Sequence, residues 1–184
     1  MNHTLQQRHS RDTIGTLASR QRGASLLEAI AYLGIAAVVV LGAVSLLNGA
    51  FGSAKANQTS EEVVALRTAV RKLYIGQAYP EASLLPSLAL ANAVPSTLAR
   101  GKDSALSNSW GGAVTVVGTA AGFTVTYNGV PQDVCINLIS GASGWNVIKA
   151  GGKQVDKFPA TVANATDLCG VNTAAGNVVE FTAS

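Results

Sequence analysis

A single carboxylate, Glu28, stands at the start of a long uncharged part of this sequence. The next charged residue after it is Lys55. A carboxylate in an apolar segment is costly unless it lies near an interface or is paired with a cation. One interpretation is an acid in the first turns of a helix, where the helix dipole favours negative charge. The other is an ion pair, which an apolar environment strengthens.

Two cysteines, Cys135 and Cys169, are the other residues with distinctive chemistry. Their spacing is not CxxC, and residues 24–184 contain no histidine or further cysteine that could complete a metal site. If this part of the chain lies outside the cytoplasm, the two thiols are expected to oxidise to a disulfide. Two unpaired buried thiols are the alternative.

Motifs for catalysis and for phosphate binding are absent from the sequence. Both histidines, His3 and His9, lie in the first 23 residues, which excludes histidine-based catalysis and metal binding from the rest of the chain. The segment Gly151-Gly152-Lys153-Gln154 lacks the earlier glycine and the Ser or Thr of a phosphate loop. No pair of carboxylates forms an evident acid–base set. We therefore expect neither enzymatic activity nor a cofactor.

Three lysines, Lys149, Lys153 and Lys157, recur at four-residue intervals between the two cysteines. We interpret them as part of a solvated face. A small basic patch that binds an anionic surface or DNA is the alternative.

The positive charge of the chain is concentrated at its N-terminus. The formal net charge of the 184 residues is +3, and residues 1–23 carry all of it, with four arginines against Asp12. Residues 24–184 are neutral overall. Once the first segment is set aside, net charge gives no argument for nucleic acid as a partner. Hydrophobic residues make up 48% of the chain and charged residues 12%, which excludes a highly charged disordered protein.

The segment Ala29–Leu47, AIAYLGIAAVVVLGAVSLL, has the length and composition of a membrane helix. Only Tyr32 and Ser45 in it carry polar side-chain groups. As a helix it would extend about 28 Å, which is close to the hydrocarbon thickness of a bilayer. Because the basic flank precedes it, the N-terminus is expected in the cytoplasm and the rest of the chain across the membrane.

Three interpretations compete for this N-terminal region. The first is a cleaved secretory signal, although the apolar segment is long and no clear cleavage site closes it. The second is a plain signal anchor. The third is a cut at the junction between the basic and apolar segments, after Gly23, which would remove the leader and keep the membrane helix.

The junction resembles the processing site of a type IV prepilin. The resemblance lies in RGASLLEAIAYLGIAAVVV, which begins at Arg22. In that family a prepilin peptidase cuts after the glycine, here Gly23, and N-methylates the new first residue, here Ala24. A glutamate five residues into the mature chain is the family's hallmark, and Glu28 occupies that position. By this resemblance, Glu28 would pair with the free amine of Ala24 on a neighbouring subunit.

The length of the leader and the segment 65–83 indicate which subgroup of pilins the chain resembles. Ala24 is smaller than the residue found there in many pilins, and the 23-residue leader is long. A long leader is typical of type IVb pilins, in particular the thin-pilus pilins of conjugative plasmids and related mobile elements. ALRTAVRKLYIGQAYPEAS, at 65–83, is also similar to the helix end and following loop in that subgroup.

The resemblance implies the major subunit of a type IVb pilus, a homopolymer that serves attachment or conjugative mating contact. The implied partners are the prepilin peptidase, an assembly ATPase, an inner-membrane platform protein and a secretin. Before assembly the subunit would reside in the bacterial inner membrane with its head in the periplasm. It would then be incorporated into a surface pilus. The alternatives are a minor pilin or a type II secretion pseudopilin and, in another class, a membrane-anchored periplasmic binding protein that never polymerises.

The fold expected from these patterns is α+β. Val63, Leu66, Val70 and Leu73 recur at 3-4-3 spacing, so a helix from Ala24 to about residue 78 would be apolar all round at first and amphipathic later. Glu61, Arg67, Arg71 and Lys72 would lie opposite the stripe, and Pro80 would stop the helix. The alternative is a break at 48–53 followed by an independent domain. Four glycines, Gly34, Gly42, Gly49 and Gly52, either serve close packing or let the helix stretch on assembly.

An antiparallel sheet is expected to pack on the amphipathic half of the helix. Residues 79–112 read as a long loop with a short helix near 87–93. The other predicted elements are strands at 113–117, 123–127, 145–148 and 178–182, a five-residue hairpin loop at 118–122 and a short helix at 131–139. The predicted domains are a removed leader (1–23), a membrane and filament-core helix (24–54), and the amphipathic helix with the head (55–184). In pilins the disulfide bounds an exposed C-terminal region, here 135–169.

Overall fold

The computed structural model describes residues 25–170 and 175–184. This part of the chain divides into two compact units that meet between Ala43 and Val44. The predicted cleavage site, Gly23 and Ala24, lies outside the described residues. The predicted domain limits at 23/24 and 54/55 therefore stay predictions.

The first element is a single long helix, α1, from Leu26 to Leu73. It contains no proline and runs without interruption through Gly42 and Gly52, so the alternative with a helix break at 48–53 is wrong. The helix ends before the predicted residue 78. The chain turns immediately after Leu73, and Gly76 in this turn has a φ of +73°, a conformation that glycine adopts readily and that commonly ends helices.

The second half of α1 contributes one face to the core of the head. Val63, Leu66 and Val70 are buried, as the 3-4-3 spacing predicts, while Leu73 at the end of the stripe is only partly buried. The buried stripe also extends toward the N-terminus through Thr59 and Ala56 at the same spacing. These side chains belong to one hydrophobic core with the sheet, so the expected amphipathic packing is confirmed.

Within the described residues, seven strands form one antiparallel sheet in the order β1-β2-β3-β4-β7-β5-β6. The strands are β1 (Ala99–Arg100), β2 (Leu106–Ser107), β3 (Ala113–Thr119), β4 (Gly122–Val130), β5 (Val147–Ala150), β6 (Lys153–Val155) and β7 (Asn177–Ala183). The last strand in the sequence thus lies in the interior of the sheet, between β4 and β5. The predicted α+β class, with a long helix on an antiparallel sheet, is confirmed.

The β3–β4 hairpin shows how side-chain alternation builds the core. Phe123, Val125 and Tyr127 are fully buried on one face, and the threonines between them lie on the other, as predicted. The predicted five-residue loop is wrong, because Thr119 pairs with Gly122 and only two residues remain in the turn. Gly118 continues the strand since its main chain approaches that of Pro80, where a side chain would not fit.

The segment 79–112, predicted as a long loop with one helix, contains more structure than expected. Helix α2 spans Leu85–Leu90, and the short strands β1 and β2 extend the sheet. Asn108 holds the end of this segment: its buried side chain donates to the Asn128 carbonyl at 2.7 Å and accepts from two main-chain N–H groups, those of Trp110 and Gly112.

The C-terminal part of the head carries two helices, α3 (Gln132–Ser140) and α4 (Val162–Leu168). Helix α3 follows Pro131 as predicted, and β5 and β7 lie near the predicted strands. Helix α4 and strand β6 were not predicted. Thr161 caps α4 by accepting a hydrogen bond from the Asn164 N–H at 3.2 Å. Because threonine is a favoured N-cap residue, this position was a signal for α4 in the sequence.

Candidate functional site

The first turn of α1 is capped by its own side chains. Ser25 precedes the helix, and its hydroxyl accepts a hydrogen bond from the Glu28 N–H at 3.2 Å. The Tyr32 hydroxyl lies 3.5 Å from a carboxylate oxygen of Glu28 and donates to it. The S-x-x-E pattern of Ser25 and Glu28 is typical of a helix start, and it is a further signal for the beginning of α1. The capped turn agrees with the interpretation of Glu28 as an acid favoured by the helix N-terminus.

The first 22 residues of α1 expose a continuous apolar surface. Their large side chains are between 48% and 82% exposed in the single chain: Leu26, Leu27, Ile30, Tyr32, Leu33, Ile35, Val38, Val39, Val40, Leu41, Val44, Leu46 and Leu47. Within the described residues, α1 is the one helix whose length and composition suit a membrane span. Exposed apolar area of this extent requires a lipid or protein partner.

Two arginines of α1, which the sequence places opposite the apolar stripe, contact the head: Arg71 stays exposed and Arg67 is partly buried. The Arg67 guanidinium lies 5.1 Å from the ring centre of Trp145 and donates to the Ser143 carbonyl at 2.5 Å. Arg71 donates twice to the main-chain oxygen of Ser184, at 3.0 and 2.7 Å. Desolvation, and then the charge of Arg71, lower the pKa of Arg67. These contacts attach the second half of α1 to the C-terminal part of the head.

An aromatic chain runs through the packing between α1 and the sheet. Successive ring centres are 5.7, 5.4, 6.4 and 5.2 Å apart. The chain consists of Tyr74, Tyr79, Phe123, Trp145 and Phe181. Tilted and edge-to-face contacts of this kind add stability beyond the burial of apolar area.

The predicted disulfide between Cys135 and Cys169 is present. Both residues are fully buried, and their Cα atoms are 5.9 Å apart. The bond joins α3 to the end of α4. Closing a loop of this length stabilises the folded state by roughly 3–4 kcal/mol in the chain-entropy model.

The three lysines between the cysteines do not form one basic patch. Lys153 makes an ion pair with Asp167 of α4. Lys149 lies on β5 in register with Glu180 of β7. Acidic groups thus neighbour two of the three lysines, which supports the solvated face over a DNA-binding patch. Among the described residues, no group of three or more His, Cys, Asp or Glu side chains could hold a metal ion.

One buried charge was not expected from the sequence. Glu62 is only 2% exposed, and one of its carboxylate oxygens accepts a hydrogen bond from the Gln58 amide at 2.9 Å. Its spacing of four residues from the buried Leu66 could have indicated burial, but charged residues are seldom fully buried.

Comparisons with known proteins agree with this architecture. The family model described as PilS N terminal matches residues 53–184. The major structural subunit of bundle-forming pilus of Escherichia coli O127:H6 (strain E2348/69 / EPEC) is 28% identical over 165 residues, which cover 84% of this chain and 82% of the relative. The protein of the same name from Escherichia coli O111:H- has the same identity and coverage.

A solved structure is similar as well. The crystal structure of type IV b pilin from Salmonella typhi is 24% identical, with a TM-score of 0.53. The match covers 67% of this chain and 98% of that pilin. At this identity the likeness concerns the fold. Because the family model covers more than two thirds of the sequence, the chain belongs to the PilS N terminal family and has the fold of a type IVb pilin.

Proposed function

We propose that the chain is the major structural subunit of a type IVb pilus. The observation that carries the proposal is the exposed apolar surface of α1 on a chain whose head has the pilin fold. Lipid would cover this surface before assembly, and the same helix of other copies would cover it in the filament. Helices pack closely in such surroundings where small residues permit it, and Gly34 and Gly42 leave open space beside α1.

The proposed role of Glu28 is to register each incoming subunit. A cut after Gly23 would create a free amine at Ala24, about 6 Å of helix rise from Glu28 on the same chain. This spacing is poor for a direct pair within one helix. Pairing with the amine of a second copy would neutralise both charges inside the filament core, where an unpaired charge is costly.

The remaining steps are proposals of the same kind. The prepilin peptidase would remove residues 1–23 and N-methylate Ala24. The chain would then reside in the inner membrane, with its N-terminus in the cytoplasm and its head in the periplasm, where the Cys135–Cys169 bond can form. An assembly ATPase, a platform protein and a secretin would build the filament and export it. The function would be structural, without catalysis or a cofactor, in attachment or conjugative contact.

The alternatives differ in processing and in abundance. A minor pilin or a type II secretion pseudopilin would be cleaved in the same way but would be scarce in filaments. The relatives are named major structural subunits, which favours the major role. A membrane-anchored binding protein would keep its leader and would form no filament.

Mass spectrometry of sheared surface filaments tests the proposal. We expect this chain to be the dominant protein, beginning at N-methylated Ala24. Gly23→Leu should block removal of the leader, whereas Ala37→Leu, which adds bulk at an exposed position of α1, should leave processing intact. Retention of residues 1–23 in wild-type filaments, a cut after Ala50, or the absence of the chain from filaments would contradict it.

A further inference from the structure

Tyr32 is a polar side chain of the apolar segment that lies within reach of Glu28. The side chains with polar groups in Ala29–Leu47 are those of Tyr32 and Ser45. Tyr32 follows Glu28 by one helical turn, so the two share a face of α1, and the tyrosine hydroxyl donates to Glu28 Oε1 at 3.5 Å. Ser45 comes roughly five turns later. Within this segment, Tyr32 is therefore the side chain that can donate to the Glu28 carboxylate of the same chain.

The surroundings of Glu28 make this donor important. Its neighbours Leu27, Ile30 and Leu33 are apolar and exposed in the single chain, so lipid or other helices would cover them. A carboxylate that loses water in such surroundings is costly unless another group replaces the lost hydrogen bonds. A hydrogen bond is also stronger where water is excluded. The Tyr32 hydroxyl thus replaces part of the lost hydration of the carboxylate.

The contact leaves the carboxylate open to a second donor. Tyr32 binds Oε1, while the hydrogen bond to Ser25 uses the main-chain N–H of Glu28 and neither of its carboxylate oxygens. A carboxylate has about four acceptor positions, so an amine can still bind at Oε2. The 3.5 Å distance is long for an O–H···O hydrogen bond. Tyr32 therefore directs the carboxylate without blocking it.

The geometry of the helix gives this contact a direction. Long side chains on a helix lean toward its N-terminus, so the Tyr32 ring reaches back over the turn that carries Glu28. The hydroxyl then restrains the carboxylate to the face of α1 that the two residues share. An amine can meet the carboxylate only when this face is turned toward it. The restraint therefore fixes the rotation of the helix about its axis, in addition to its axial position.

We propose that Tyr32 is a positioning residue for assembly, which holds the Glu28 carboxylate for the N-terminal amine of a neighbouring subunit. The inference rests on the proposed pilus function and on the proposed pairing of Glu28. The role belongs to the hydroxyl of Tyr32, because the aromatic ring alone can pack against lipid or helices but cannot donate to a carboxylate.

Three variants of the full-length chain test the role of the hydroxyl. Tyr32→Phe keeps the ring and removes the donor. We expect normal leader removal and normal amounts of subunit in the membrane, but about tenfold fewer filaments in sheared preparations. Tyr32→Gln changes the shape but supplies an amide donor one turn from the carboxylate, so it should restore most of the filaments. Ser45→Ala removes the other hydroxyl of the segment and should assemble like the wild type.

Several results would overturn this role. One is a wild-type yield of filaments from Tyr32→Phe, and another is a yield from Tyr32→Gln as low as that from Tyr32→Phe. Few filaments from Tyr32→Phe beside abundant filaments from Glu28→Gln would show that the hydroxyl does not act through Glu28. Retention of the leader in Tyr32→Phe would assign the hydroxyl to processing instead. The proposed pilus function fails separately, if the wild-type chain itself forms no filaments.

Discussion

The carboxylate of Glu62, on α1, and the phenol of Tyr127, on β4, are buried side by side in the head. Tyr127 is fully buried, and Glu62 is almost so. Burial, and then the Glu62 carboxylate, raise the pKa of Tyr127. Neither Glu62 Oε2 nor Tyr127 Oη has a partner at ordinary hydrogen-bond geometry among the described residues, and the Glu62 carboxylate is the charged group that acts on the Tyr127 phenol. The pair connects the helix to the interior of the sheet.

Removing one member of this pair should destabilise the head. We expect Glu62→Ala to lower the free energy of unfolding by about 1–3 kcal/mol, because the Gln58 amide loses its acceptor and the buried Tyr127 hydroxyl loses the carboxylate beside it. Replacing both groups, with Glu62→Leu and Tyr127→Phe, should recover much of the loss. Urea unfolding of the full chain in detergent, followed by tryptophan fluorescence, measures this. Glu61→Ala, at an exposed position, is the control, and a double variant as unstable as Glu62→Ala would contradict the pairing.

The raised pKa of Tyr127 predicts a loss of stability in alkali. The neutral phenol is favoured in the folded state, so its contribution is fully present below the unfolded pKa of about 10. As the pH rises above 10, the unfolded phenol ionises and the contribution is lost. Unfolding free energies measured from about pH 8 to 12 should therefore fall more steeply for the wild type than for Tyr127→Phe. Equal slopes would show that another group governs the decline.

The disulfide should be complete in the exported protein. Thiol titration of the folded chain without reductant is expected to find no free thiol, because Cys135 and Cys169 are bonded and buried. Replacing both cysteines with alanine should lower the unfolding free energy by roughly 3–4 kcal/mol. Two reactive thiols in the folded, exported chain would remove the cross-link and weaken the argument for a periplasmic head.

The charge of Glu28 should be needed for assembly alone. Glu28→Gln keeps the shape of the side chain and removes its charge. We expect normal cleavage, membrane insertion and folding of the head, but few or no filaments in sheared preparations. Glu61→Gln, an exposed acid on the same helix, is the control and should assemble normally. Abundant filaments from Glu28→Gln would defeat the pairing mechanism, and loss of cleavage would assign Glu28 to the peptidase.

Alanine variants of the α1 glycines can distinguish close packing between helices from stretching of the helix on assembly. A Cβ at Gly42 or Gly52 meets nothing within 4 Å in the single chain, so alanine is tolerated there and favours the helix by about 1 kcal/mol per site. If the helix stretches on assembly, a filament map should show non-helical backbone between these glycines, and the double alanine variant should assemble poorly. A continuous helix in the filament map would reject stretching.

Several features follow from the sequence alone because they depend on local patterns. The apolar segment after Glu28 predicts a membrane helix. The 3-4-3 spacing of Val63, Leu66 and Val70 predicts one buried helix face, and the alternation around Val125 predicts a strand with one buried face. The two cysteines, with no other thiol or nearby histidine, had few possible roles. These patterns predicted the long helix, the α+β class and the disulfide.

Other features were decided by contacts between distant parts of the chain. The strands β1, β2 and β6 are too short to show a period of two, and they exist because a neighbouring strand offers hydrogen-bonding groups. Arg67 is partly shielded from solvent because Trp145 and Ser143 lie beside it in the folded head. Glu62 is buried because the head packs around it, with the Gln58 amide donating to its carboxylate and the Tyr127 phenol beside it. Local sequence cannot specify such partners, since burial of a charge depends on groups that only the tertiary structure brings within reach.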